Sequence, residues 1–346
     1  MTKTSRSRRS SSAWPAGKSA GLGSNWEDPA STRRRVVFRG EDAIASIASS
    51  AAHTAPAAKQ RRAPSPYPNW FYLPAAIVFG VLFLLPTVSS LFFSLTRWNF
   101  QNATFIGLDN FRQFFHEQNL YQSLINTLIY GALTSGLKVV LGLALGLLLT
   151  GRIVARGYLR AVVFFPVLVS TVGIGITFTA MMHPTAGVIN TTLALFHIPG
   201  PGWLTDPHLA LFSVALVDVW KGVGLATVIY MAGLVSIPTD YYEAAAIDGA
   251  TAWQRFWNIT LPLVMPATTT VIILSLIGGL RSFDLIWAMT KGGPGFTSDV
   301  IASVIYKQYQ AGFYGLSTAG NVVLFVLVAA IIVPLSLFLN RRTTEA

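Results

Sequence analysis

The chain has 346 residues, of which 52% are hydrophobic and only 11% charged, with a net charge of +11 and no cysteine. About a quarter of the residues in a soluble domain are charged, so this composition excludes an ordinary water-soluble fold. Without cysteine there is no disulfide framework, no thiolate metal site and no cysteine nucleophile.

The positive charge is concentrated at the start, with 12 Lys/Arg against 4 Asp/Glu in the first 69 residues. Residues 1–69 are rich in Ser, Ala, Arg and Pro, with clusters at Arg8–Arg9, Arg33–Arg35 and Arg61–Arg62. They carry no long apolar periodicity, which predicts a disordered basic tail drawn to anionic membrane lipid. The same composition overlaps with organelle transit peptides, and an over-extended start site would look alike. A nucleic-acid arm would need more aromatics, regularly placed, so nucleic acid is not an expected partner.

Six apolar runs follow, at about 71–95, 121–150, 161–182, 209–235, 263–289 and 320–339. Each is near or above the roughly 20 residues that cross a bilayer, and the first, third and last contain no charged residue. They predict an all-α integral membrane protein of six transmembrane helices. Pro74, Pro86, Pro166, Pro266 and Pro334 fall inside these runs; they argue against strands, whereas helices packed in a membrane tolerate them.

Basic residues in the connections set the orientation. With the tail inside, the inner segments carry 18 Lys/Arg and the outer ones 4, namely Arg97, Arg112, Lys291 and Lys307; without the tail the ratio is 6 to 4. Both termini are therefore expected in the cytoplasm, on a multi-pass protein of a bacterial cytoplasmic membrane. On the outer side, Phe105–Arg112 reads as a turn entering a short amphipathic helix. Pro199–Pro207 and Lys291–Ser298 read as turn-rich excursions.

The connection between the fourth and fifth runs has a legible local chemistry. Pro238 closes the preceding run, and Asp240 with Glu243 has the spacing of a capping box. Ala244, Ala245 and Ala246 are strong helix formers, and Gly249 is a natural stop. The expected product is a short helix almost bare of side chains, which lets another protein approach closely. Trp253, Phe256, Trp257 and Ile259 offer apolar anchors after it, and Pro262 suits the first turn of the next long helix. On residues alone, an amphipathic helix lying at the membrane interface would look similar.

The spacing Glu243-Ala244-Ala245, then Gly249, then Ile259-Thr260-Leu261-Pro262 resembles the loop motif of the membrane permeases of ATP-driven (ABC) importers, with every interval met. Phe105–Phe111, Trp220–Gly224, Ala232–Pro238, Phe283–Ile286 and Gly292–Gly295 extend the resemblance to the carbohydrate-uptake branch, the maltose and glycerol-phosphate type. It spans about residues 71–342. The resemblance implies that the loop is a cytoplasmic coupling helix docking into a cleft on an ATPase subunit, with Ala244, Ala245 and Gly249 permitting close approach. It also implies two cytoplasmic ATPase subunits, a second homologous permease and an extracytoplasmic solute-binding protein. ATP and Mg would reside on the ATPase partners, this chain would hold no cofactor, and transport would proceed by alternating access without enzymatic chemistry here.

Ionisable residues inside spans are costly and mark polar cavities or partners. Lys138 lies in the second run; Asp218 and Lys221 stand three apart in the fourth, and Arg281 and Asp284 three apart in the fifth. That spacing lets side chains meet on one helix face, as self-neutralised pairs near helix ends; the charges could equally act as glue between helices or line a translocation path. On the last reading Trp220 and Trp287 would supply stacking for a sugar. Gly142 and Gly146 permit close helix packing. The five histidines show no metal-ligand spacing, and Gly292–Gly295 lacks the residues of a phosphate loop. An ion-coupled secondary transporter is the chief alternative; it would want midplane carboxylates, for which Asp218 and Asp284 are available, each near a cation.

Overall fold

The computed structural model describes residues 69–344, Phe100 and Arg152 excepted; the basic tail expected over residues 1–69 lies outside them but for Asn69. In chain order come α1 (Trp70–Ser94), a hairpin of β1 (Thr96–Trp98) and β2 (Ala103–Phe105), α2 (Asp109–His116) and α3 (Gln118–Thr150). Then follow α4 (Arg156–Leu168), α5 (Thr171–Met181), α6 (Val188–Leu195), α7 (Ala210–Val235) and α8 (Thr239–Ile247). The series ends with α9 (Ala252–Leu263), α10 (Met265–Leu280), α11 (Asp284–Met289), α12 (Ile301–Gln310) and α13 (Tyr314–Thr344).

The regular structure of the described residues is helical apart from the hairpin, which pairs Thr96 with Phe105 antiparallel. Four helices, α1, α3, α7 and α13, are each long and apolar enough to cross a bilayer. Two further spans exist only as bent pairs, α4 with α5 at 98° and α9 with α10 at 64°. The six expected spans thus correspond to four unbroken helices and two bent pairs. The third run breaks at Val169 and Ser170, both extended, within Val169-Ser170-Thr171-Val172. β-branched residues and serine are weak helix formers, so this is where the run yields.

In the fifth run the helix ends at Leu280, just after Gly278 and Gly279, and Arg281 caps it. The other end corrects an expectation. Pro262 lies in the last turn of α9, and it is Pro266 that starts the long helix α10. Having no N–H, Pro266 cannot donate to the Pro262 carbonyl, and the chain bends between them at Val264, whose ψ is −1°.

The centre of the bundle is α3 against α7, with α10 laid across both. Gly142 and Gly146 make this pair close: an added methyl would come within 2.7 Å of Ala226 Cβ at the first and 2.9 Å of Tyr230 Cβ at the second. Helix α13 packs on α1, α10 and α12, while the most apolar stretch of α1 has no residue buried within the chain.

At one end of the bundle the amphipathic helix expected after Phe105 is α2, which buries Phe114. Asn110 Nδ2 ties it to the end of α1 by donating to the Ser94 and Thr96 carbonyls, both at 2.9 Å. At the same end the 290–300 segment is pinned to α3. Asn126 Nδ2 donates to the carbonyls of Thr297 (2.9 Å) and Asp299 (2.8 Å), and Ile301 N–H donates to Thr127 Oγ1 at 2.9 Å. The Asp299 side chain is fully buried; Ser303 Oγ donates to its Oδ1 at 2.7 Å and Lys307 Nζ to its Oδ2 at 2.6 Å. Burial pushes the Asp299 carboxyl above the usual carboxylate range, and the bonds from Lys307 and Ser303 pull it back only in part. Removing the cation alone strands that charge. Lys307→Met is expected to cost about 3 kcal/mol, the lower part of the range for broken buried pairs, because the Lys307 side chain is 29% exposed. Thermal unfolding in detergent reads it, and an unchanged midpoint would contradict the pairing.

Candidate functional site: an exposed helical knob and a polar seam

Helix α8 begins after Pro238, which occupies the N-cap with φ −58° and ψ 137°; no side chain supplies a capping bond. The expected Asp240–Glu243 capping box therefore does not form. With Pro238 at the boundary, Asp240 falls inside the first turn, where its carboxylate complements the helix dipole, and Glu243 lies further in, exposed. A capping box occurs instead eleven residues on, at the start of α9. Gln254 N–H donates to Thr251 Oγ1 at 3.3 Å, and Thr251 N–H donates to Gln254 Oε1 at 2.8 Å. The sequence signature of this box is Thr251-x-x-Gln254.

The end of α8 follows the alanine–glycine pattern closely. Ala250 N–H donates to the Ala245 carbonyl at 2.9 Å, and Gly249 N–H to the Ala246 carbonyl at 3.1 Å. This bond pair closes a helix on a left-handed residue, and Gly249 has φ +74°. Ala244 and Gly249 are exposed, Ala245 is half-buried, and a methyl added at Gly249 would meet nothing within 4 Å. No residue of α8 is buried, and Ile247 and Trp253 stand 88% and 69% exposed. The knob is nevertheless held at its base. Ile237 and Val264 are buried on either side of it, and the Tyr242 hydroxyl lies 3.0 Å from Thr260 Oγ1. Of the remaining motif residues, Ile259 and Leu261 are half-buried and Pro262 is exposed.

The expected intramembrane pairs are rearranged. Asp218 does not bond to Lys221; its Oδ2 accepts from Lys138 Nζ on the neighbouring helix at 2.9 Å, with side chains 20% and 9% exposed. An added side chain at Gly222 would meet Lys138 Cε at 2.6 Å, so this glycine makes room for the lysine. Tyr130 adjoins Asp218, and its hydroxyl accepts from Ser282 Oγ at 3.5 Å. The result is a polar seam joining α3, α7 and the break after α10. Beside it lies a cavity of about 180 Å³ lined by Lys138, Gly222, Leu274, Ser275 and Gly278 among others. Tyr130, Ser275 and Ser282 were not singled out from sequence, because hydroxyls in apolar runs are common and only the contact across helices distinguishes them.

Arg281 and Asp284 make no ion pair among the described residues. Arg281 caps α10 while Asp284 begins α11, so a helix break separates them and the helical i,i+3 geometry is lost. Both are exposed. Trp287 joins Phe283 and Tyr306 in an aromatic cluster, with ring centroids 5.7 and 4.8 Å away. Trp220 points elsewhere. Two residues along a helix turn through about 200°, so it lies opposite Asp218, against Phe178 at 5.2 Å, lining an apolar groove of about 610 Å³.

The geometry has clear counterparts. The family described as "Binding-protein-dependent transport system inner membrane component" matches residues 138–343. The trehalose/maltose transport system permease protein MalF of Thermococcus litoralis is 35% identical over 258 residues, covering 74% of this chain and 88% of the relative. The sulfoquinovosyl glycerol transport system permease protein SmoG of Agrobacterium fabrum is 31% identical, covering 73% and 84%. Among solved structures, a chain of a bacterial ABC transporter involved in import of the acidic polysaccharide alginate superposes with a TM-score of 0.70 at 25% identity, covering 78% of this chain and 94% of that one. With the match running from inside α3 to the end of α13, the chain belongs to the binding-protein-dependent ABC transporter permeases, in their carbohydrate-uptake family, and is the non-catalytic membrane component.

Proposed function

We propose that the chain is one half of the pore of an ATP-driven importer for a sugar or sugar derivative, working by alternating access. The single observation that carries the coupling step is the knob. Helix α8 buries none of its residues within the chain, is closed by Gly249 in a left-handed conformation and is held at its base. Such a surface fits a cleft on a cytoplasmic ATPase subunit. Ala244, Ala245 and Gly249 give close approach, and exposed Glu243 is available to a cation on the partner. On this reading the knob and both termini face the cytoplasm.

ATP and Mg belong to two ATPase partners, whose closure pushes the knob and reorients the spans by rigid-body motion. A second permease completes the cavity. A solute-binding protein delivers the cargo, as in a solved relative described in complex with an alginate pentasaccharide-bound periplasmic protein. The sugar class rests on the names of the relatives, which include transport systems for trehalose/maltose and sulfoquinovosyl glycerol. Lys221, Arg281, Asp284 and Trp287 are assigned to the cavity wall, with Lys138–Asp218 holding that wall in place.

Reconstituted vesicles test this. With both permeases, the ATPase and the binding protein present, uptake is expected to require ATP inside and binding protein outside. Uptake driven by an ion gradient alone would overturn it.

A further inference from the structure

Where α3 ends, a charge has been left without its counter-charge. Arg160, one turn into α4, donates from Nη2 to the Leu149 carbonyl at 3.0 Å, while its Nε is buried and has no acceptor among the described residues. A guanidinium carries five N–H donors and is always charged, so most of its capacity is unused. Arg156 lies four residues earlier, on the same helix face. No Asp or Glu occurs between Glu117 and Asp206, and neither arginine is in an ion pair among the described residues.

Arg160 also lines a cavity of about 260 Å³ between α3, α4 and α7. Its other walls, among them Leu149, Phe164, Val228 and Met231, are apolar. Gly224 lets α4 lie close at this point, since an added methyl would collide with the Val163 carbonyl oxygen.

We propose that this is a binding site for an anionic phospholipid, with the headgroup phosphate on Arg160 and Arg156 and part of an acyl chain in the cavity. It rests on the reading that the helices span a bilayer. The last turn of α3 then lies near the headgroups, where basic pockets between spans hold anionic lipid. Charge and shape point to one ligand. A free anion satisfies the arginines and leaves the apolar slot empty; a neutral lipid fills the slot and leaves the arginines unmatched. A carboxylate from a partner protein shares the first shortcoming.

The full chain, purified in mild detergent, gives the test. Phosphatidylglycerol is expected to raise the thermal unfolding midpoint by several degrees; phosphatidylcholine with the same chains, and inorganic phosphate, are not. Arg160→Gln should abolish the phosphatidylglycerol shift. Val228→Trp, which fills the slot from an exposed position and keeps the charges, should do the same. Arg112→Gln, in α2, should leave it intact. A shift that survives Arg160→Gln overturns the site, as does an equal shift from phosphatidylcholine or from phosphate alone. If Arg160→Gln does not fold, mass-spectrometric counting of phosphatidylglycerol retained by Val228→Trp decides, and unchanged retention overturns it. None of these readouts requires ATP or cargo, so they fail or succeed independently of the importer function.

Discussion

Gly249→Val is expected to lower uptake by at least tenfold while the chain still inserts and folds. The left-handed backbone at this position, φ +74°, costs a β-carbon about 1–2 kcal/mol, and more for a branched one. Such a cost frays the end of α8 without unfolding a bundle whose core lies elsewhere. The space around Gly249 is open within the chain, so bulk added there meets only a partner. Gly249→Asn separates the two effects, because asparagine accepts the left-handed conformation and still projects a side chain. If the partner comes as close as proposed, Asn also cuts uptake, with ATP hydrolysis persisting uncoupled from transport. Full uptake in Gly249→Asn, measured in the reconstituted vesicles, would leave only the backbone requirement and remove the docking argument.

Lys138→Met should be the most damaging single change in the spans. It leaves Asp218, 20% exposed, without its partner in the interior of the bundle, a loss of about 3 kcal/mol, the lower part of the range for broken buried pairs. Membrane protein yield and thermal midpoint should both fall. Adding Asp218→Asn removes the stranded charge, and the double variant should regain most of the stability, since well-packed neutral replacements of buried pairs are often harmless. Uptake should return with it if the pair serves to hold α3 on α7. Recovered stability with uptake still lost would instead place the two charges in contact with the cargo.

How much of this was readable in advance depended on the range of the interaction. The apolar runs, the stop at Gly249 and the close approach at Gly142 and Gly146 are local or single-helix properties, and composition with spacing was enough to locate them. The charged residues and the possibility of pairing between helices were legible, but not which cation Asp218 meets. Asp218 and Lys221 share a helix face, yet the nearer cation comes from another helix, and no intra-helix spacing reports a contact across 80 residues. The breaks in the third and fifth runs went unseen for a related reason. Hydropathy is continuous through Val169-Ser170 and through Val264, and only backbone hydrogen bonding distinguishes a bent span from a straight one. Trp220 and Trp287 looked equivalent as residues, but helix phase sends one to an apolar groove and the other to an aromatic cluster.

The bend at Val264 has a mechanical consequence. No hydrogen bond can link Pro266 back to Pro262, so one rung of the backbone ladder is missing where α9 meets α10. The 12 residues of α9 make an arm of about 18 Å, and a sideways nudge of about 1–2 Å at its far end would swing it by about 3–6°. On the proposed coupling, a push on the knob would reach the foot of α10 as rotation about this bend, and the backbone of that rod would not need to deform to receive it.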